Sequence, residues 1–200
     1  MNTLFTIGHS NHAAERFLEL LSTHGVSTVV DVRSSPYSQY APQFTKAALQ
    51  EWLAREGVEY WFLGRELGAR REEESCYVND QARYELVARL PIFRRGLEKV
   101  VEGTDRRVLA LMCSESDPVT CHRTILICRA LKRDDPGMGI RHILPDGSAE
   151  THEALLERLV AAHKLQPELF GELNSMDGLV ERAYDLQAER IAYKRNTVDA

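Results

Sequence analysis

Apolar residues along the chain fall into short, nearly uninterrupted runs that alternate with stretches of helical spacing. The runs "TLFTIGHS", "VSTVVDVR", "VEYWFL", "RRVLALMC" and "GIRHILPDG" read as strands, and the most continuous of them have the pattern of strands buried on both faces of a parallel sheet. Between them, "AAERFLELLSTHG" places apolar side chains at Phe17, Leu18, Leu20 and Leu21 before a stop at Gly25. "KAALQEWLAREG" follows Thr45, a residue able to cap a helix. The spacing predicts further helices over 81–103, divided at Pro91, over "CHRTILICRALKR" and over "AETHEALLERLVAAHKL". Residues 64–80 are polar and irregular and read as one long loop. This rhythm predicts an α/β fold: a three-layer sandwich with a mainly parallel sheet, plus a C-terminal helical extension.

The composition shifts after Gln166, which divides the chain into an α/β domain over 1–165 and an extension over 166–200. The extension carries one helix within "LVERAYDLQAERIAYKR", docked or mobile, whose apolar face is a candidate homodimer surface. An apolar fraction of 44% and a charged fraction of 28% are ordinary for a soluble protein, and 200 residues can bury a core without disulfides. No apolar run approaches the roughly 18 residues that cross a bilayer, and "MNTLFTIGHS" has no signal-peptide pattern, so a cytoplasmic, membrane-free protein is expected. Its four cysteines are accordingly read as thiols. A formal net charge of −5 argues against a protein that coats nucleic acid but leaves room for a local basic pocket.

Open parallel sheets bind ligands beyond the carboxyl ends of their strands, beside helix N-termini. That rule gathers His9, Ser10, Arg33, Ser34, Glu115, Cys121, His122 and Arg123 onto one expected rim. Arg33, at a strand end, can aim its donors at a phosphate or carboxylate, the structural alternative being an ion pair with Asp31 or Glu115. His9 can serve as acid, base or donor, or be a bonded turn histidine. In "MCSESDPVTCHR", Asp117 or Thr120 can cap the following helix with Pro118 in its first turn, leaving Cys121, His122 and Arg123 where the helix dipole favours anions. Cys121 is then a candidate low-pKa nucleophile with Glu115 or His122 carrying the proton, or a small buried core residue.

Zinc on Cys113, Cys121, His122 and Cys128 is disfavoured. Cys121 and Cys128 would stand roughly 10 Å apart along a helix, and the adjacent Cys121 and His122 would point in different directions. No metal and no cofactor are expected. A phosphatase cradle is excluded by spacing, since Cys113 and Cys121 precede Arg123 by ten and two positions. "GRELG" is neither a Walker loop nor a dinucleotide fingerprint.

Taken in order, "TIGHS", "DVRSSPYS", "GVEYWFLGRELGARR", "MCSESDPVTCHR" and "HILPDG" resemble the family known as domain of unknown function 488 (DUF488), and "PELF" and "AYDLQAERIAY" extend the likeness into the tail. The resemblance implies a compact α/β domain with a polar site drawn from His9, Ser10, Arg33, Pro36, Ser38, Glu115, Cys121, His122 and Arg123. Gln39, where a basic residue is frequent, and Ala69, in place of the second glycine of a Leu-Gly-Gly turn, depart from the pattern. The leading expectation is an enzyme that binds an anionic small molecule or nucleic-acid end, with His9, Glu115, Cys121 and His122 catalytic. Ser10, Arg33, Ser34, Pro36, Ser38 and Arg123 would hold the ligand. The alternatives are a non-catalytic binding module and a thiol-based redox protein.

Overall fold

A computed structural model of the chain describes residues 3–37, 40–168 and 172–195. Strand β1 (Thr3–Gly8) leads through α1 (Ala14–Thr23) to β2 (Thr28–Asp31), then through α2 (Lys46–Arg55) to β3 (Glu59–Phe62). Helix α3 (Gly64–Leu67), the hairpin strands β4 (Tyr77–Val78) and β5 (Gln81–Ala82), α4 (Tyr84–Val87) and α5 (Pro91–Thr104) follow. The chain continues with β6 (Leu109–Cys113), α6 (Arg129–Asp134), β7 (Gly139–Ile143), β8 (Ala149–Thr151), α7 (His152–Ala162) and α8 (Met176–Ile191).

Six strands form one sheet in the order β3-β2-β6-β1-β7-β8, parallel throughout except for the β7–β8 pair. Gly8 lies opposite Cys113 and Asp31 opposite Met112, so β1, β2 and β6 finish together and their polar continuations meet at one edge. Alternation along each strand feeds two cores. Phe5, Ile7, Val29, Ala110 and Met112 pack with Phe17, Leu20 and Leu21 of α1 and Leu49 and Leu53 of α2. Leu4, Val30, Leu109, Leu111 and Cys113 face the other way, onto residues of α5, α6, α7 and α8. Burial on both faces is why these strands read as continuous apolar runs.

Several elements differ from expectation, each for a local reason. The stretch 64–80 contains α3, a 3₁₀ turn (Glu74–Cys76) and β4, held by Arg71, whose guanidinium donates to the carbonyls of Arg65 (2.8 Å) and Glu66 (3.2 Å) and pairs with Glu73. Pro91 divides α4 from α5 as expected and stands as the first residue of α5, a position where its missing N–H costs nothing. Residues 149–151 form β8, and Thr151 then caps α7 by accepting from the Ala154 N–H. Thr45 precedes α2 without a side-chain capping bond.

The C-terminal helix is docked. Leu179, Ala183, Tyr184 and Ala188 of α8 belong to the main core, Gln187 donates to the Val119 carbonyl at 2.8 Å, and Arg129 is clamped between Glu181 and Asp185. Its apolar face is therefore occupied within the chain. Among the described residues no helix is long and apolar enough to cross a membrane.

Candidate functional site

After β6 the chain turns through Ser114–Ser116 into a 3₁₀ turn, Pro118–Thr120, whose first free amide, that of Val119, is capped by the Asp117 carboxylate at 3.1 Å. Cys121 is then fully extended (φ −125°, ψ 141°), and only at His122 does the backbone become helical, entering a π-helical segment over Arg123–Cys128 that continues into α6. Side chains at 121 and 122 consequently do not obey helical spacing. Their sulfur and ring nitrogen turn toward the same point, which Cys113 reaches from the end of β6 and Glu115 from the loop.

Ligand-capable atoms of Cys113, Glu115, Cys121 and His122 all lie within 4.8 Å of one another. His122 Nδ1 is 3.5 Å from Cys113 Sγ and 3.8 Å from Cys121 Sγ, and Cys121 Sγ is 3.0 Å from Glu115 Oε2. His122 Nε2 sits 3.1 Å from the Val32 carbonyl. Because a carbonyl only accepts, Nε2 carries a proton, which in the neutral ring leaves the lone pair on Nδ1, the atom that faces the two sulfurs. Cys128, whose spacing from Cys121 speaks against a shared ion, is buried outside this cluster, and Glu115 is its fourth member.

The electrostatics divide the cluster. Burial and then the Cys121 sulfur push the Glu115 carboxyl above the usual carboxylate range. Burial works against ionisation of Cys121, but the Cys113 thiol, the Arg123 guanidinium and His122 together hold Cys121 well below the ordinary thiol value. His122 is raised despite its burial, chiefly by Cys121. Cys121 Sγ and Glu115 Oε2 thus share one short contact between two groups shifted in opposite directions, and the carboxyl is the member at the open side.

Arg123, with no exposed surface, braces the loop. It donates to the carbonyls of Glu115 (2.7 Å) and Ser116 (3.2 Å) and to the Thr6 hydroxyl (3.4 Å). Gly8 approaches the same loop from β1, and a Cβ there would stand 1.9 Å from the Glu115 carbonyl oxygen. Gly8→Ala is expected to cost about 1–3 kcal/mol through overpacking and to shift the Glu115 loop, measured as a lower urea midpoint together with changed chemical shifts at Glu115 and Cys121.

The two arginines and His9 have different neighbours from those expected. Arg33 is 4% exposed, forks onto Asp31 (2.9 and 2.6 Å), and also donates to the Phe44 carbonyl and to His9 Nε2, each at 2.9 Å. Asp31 additionally accepts from the Tyr60 hydroxyl at 2.8 Å. With Nε2 accepting, His9 donates from Nδ1 to the Ser10 carbonyl at 2.8 Å, and its ring stacks on Phe44. Burial and the Arg33 charge lower its pKa to about 4, so it stays neutral, with both nitrogens engaged inside the fold. In the structure Arg33 bonds Asp31, His9 and the Phe44 carbonyl while still lining the crevice, and Arg123 bonds Thr6 and two loop carbonyls.

In front of the cluster lies a crevice of about 330 Å³ lined by Cys113, Glu115 and His122 on its floor and by Ser34, Arg70 and Tyr193 on its walls. The Ser34 hydroxyl accepts from the Arg70 amide at 2.9 Å, and the Arg70 guanidinium lies over Tyr193, 5.1 Å from its centroid. Ser10 turns toward Asn11, and the Pro36 carbonyl accepts from the Lys46 amide at 2.9 Å, so neither lines the crevice. Ser38 and Gln39 lie outside the described residues. A larger hollow of about 660 Å³ beside Trp61, Lys99 and Arg107 contains no cysteine or histidine, so the chemistry points to the smaller one.

Sequence reasoning missed Tyr84 and Tyr193 as crevice residues and weighed Arg70 only as one of several arginines able to supply a basic pocket. The signal available for Arg70 was the glycine on either side of "REL": a Cβ at Gly64 would lie 2.1 Å from the Arg33 carbonyl and one at Gly68 would lie 2.4 Å from the Ser34 hydroxyl, so this turn must press on the β2 loop.

Fold and site define an α/β protein with a thiol-rich crevice at the carboxyl ends of a parallel sheet. The chain belongs to the DUF488 family, whose model, described as Domain of unknown function DUF488, matches residues 13–130. No curated protein matches the chain, and neither does any solved structure.

Proposed function

We propose that the crevice binds the anionic group of a small molecule, a nucleotide or a nucleic-acid end, and that the protein hydrolyses it or transfers a group on it, with Glu115 carrying the proton. The observation that supports this reading most is the placement of a carboxyl whose pKa is raised at the open side of a strand-end hollow. Arg70 supplies positive charge at the wall, Ser34 a hydroxyl, and Tyr37 and Tyr193 aromatic surface on which a base can stack. Arg33 and Arg123 act as positioning residues that hold the rim. Cys121, only 1% exposed, acts on the charge of Glu115 rather than attacking a bulky substrate itself.

Inorganic phosphate, mononucleotides and 5′-phosphorylated oligonucleotides, tested by thermal shift, should include a ligand that raises Tm by about 5–10 °C near 100-fold its Kd. Arg70→Ala should weaken that ligand at least tenfold, while Glu115→Gln should keep its binding and lose turnover by roughly 10²–10⁴-fold. A binding module gives the shift without turnover in the wild type. Absence of any shift across the panel removes the crevice reading.

A further inference from the structure

We propose that Cys113, Cys121 and His122 form a zinc site at the floor of the crevice, with its fourth position turned toward Glu115 and the opening. The inference deepens the crevice reading, since it supplies that site with a cofactor. Two thiolates and an imidazole are the donor set that suits this borderline-soft ion, and three protein ligands with one open position is the arrangement of catalytic rather than structural zinc.

The geometry carries the argument. Tetrahedral zinc with ordinary Zn–S and Zn–N bonds separates neighbouring ligand atoms by about 3.5–3.8 Å. His122 Nδ1 stands 3.5 and 3.8 Å from the two sulfurs, the spacing that such an ion requires. The tautomer is already set, because Nε2–H is given to the Val32 carbonyl, the outer bond that ligating histidines make. The Arg123 amide points at Cys121 Sγ from 3.5 Å, as backbone donors do around bound thiolates. Charge also balances: two thiolates offset the dication. The expected obstacle, that adjacent residues on a helix diverge, does not arise because Cys121 is extended and His122 is helical.

The test uses the full-length, untagged protein kept reduced, stripped with chelator, dialysed and titrated with Co²⁺ and then Zn²⁺. One Co²⁺ per chain should bind with the visible d–d bands of a tetrahedral ion and near-ultraviolet sulfur-to-cobalt charge transfer, and one equivalent of Zn²⁺ should erase both. Cys113→Ser and Cys121→Ser should each cut the charge transfer by about half, and His122→Gln should weaken binding by roughly 10–100-fold. Cys76→Ser and Cys128→Ser should leave the spectrum unchanged. A folded wild-type protein that shows only the weak spectrum of octahedral cobalt overturns the proposal, and this reading needs no variant to fold. Charge transfer that survives in a folded Cys113→Ser, Cys121→Ser double variant overturns it equally. Cobalt binding without any thermal shift from the phosphate panel would keep the metal and remove the crevice reading, whereas a shift without cobalt binding would do the reverse.

Discussion

Arg123→Ala is expected to lose about 4–5 kcal/mol of folding stability, enough to leave a protein of ordinary stability barely folded. Arg123 heads the largest side chains with essentially no exposure, so truncation opens a cavity between β1 and the loop after β6. It also orphans two buried carbonyls, those of Glu115 and Ser116, and takes a donor from Thr6. Arg123→Lys keeps the charge but cannot bridge two carbonyls and a hydroxyl at once, so an intermediate loss of about 2 kcal/mol is expected. Urea unfolding at pH 7 measures both. A loss below about 1 kcal/mol for the alanine variant would show that the loop is held from elsewhere, and the account of the site as a braced strand end would fail.

Acid should unfold the protein early. Arg123 begins a buried relay in which one direction of donation satisfies every member: to Thr6, from Thr6 to His142 Nδ1 (2.8 Å), from His142 Nε2 to His152 Nδ1 (3.0 Å), and from His152 Nε2 to the Tyr184 hydroxyl (2.9 Å). Both imidazoles are neutral in this arrangement. Burial, then mutual repulsion and Arg123, lower His142 to about 2, and burial lowers His152 to about 4. The unfolded chain titrates near 6.5 and binds protons that the folded chain refuses, so stability falls as pH drops from about 6.5 toward 4. Each histidine should remove about 2 kcal/mol by pH 5 and roughly 3 by pH 4, with His9 adding in the same direction. Urea midpoints across pH 7 to 4.5 should show the slope, and His152→Gln should flatten it by one histidine's share. An unchanged slope in that variant would mean the relay takes up protons without cost.

The central strands were legible in the sequence because burial on both faces leaves no polar alternation to confuse the pattern. Short elements were not. Helix α4 has one turn and β5 two residues, and both exist because of contacts made far along the chain, such as the Ala82 amide bonding to the Tyr193 carbonyl. The strand-end rule found Glu115, His122 and Arg123 through position alone. For Arg33 the sequence offers both an outward fork and the pair with Asp31, and only the fold decides for the pair. Convergence of Cys113, Cys121 and His122 depends on a single extended residue between two helical turns, and periodicity carries no trace of it.

The position of β1 sets an order of events. Thr3–Gly8 is made before both its neighbours, Leu109–Cys113 and Gly139–Ile143, which follow about a hundred residues or more later. The sheet can close around β1 only once both are made, and the Glu115 loop then packs against Gly8. The span 13–130 that matches the family lacks both β1 and β7. Excised or grafted elsewhere, it would expose the unpaired edge of β6 and invite aggregation, so the recognisable part of this protein is not a unit that can be inherited alone.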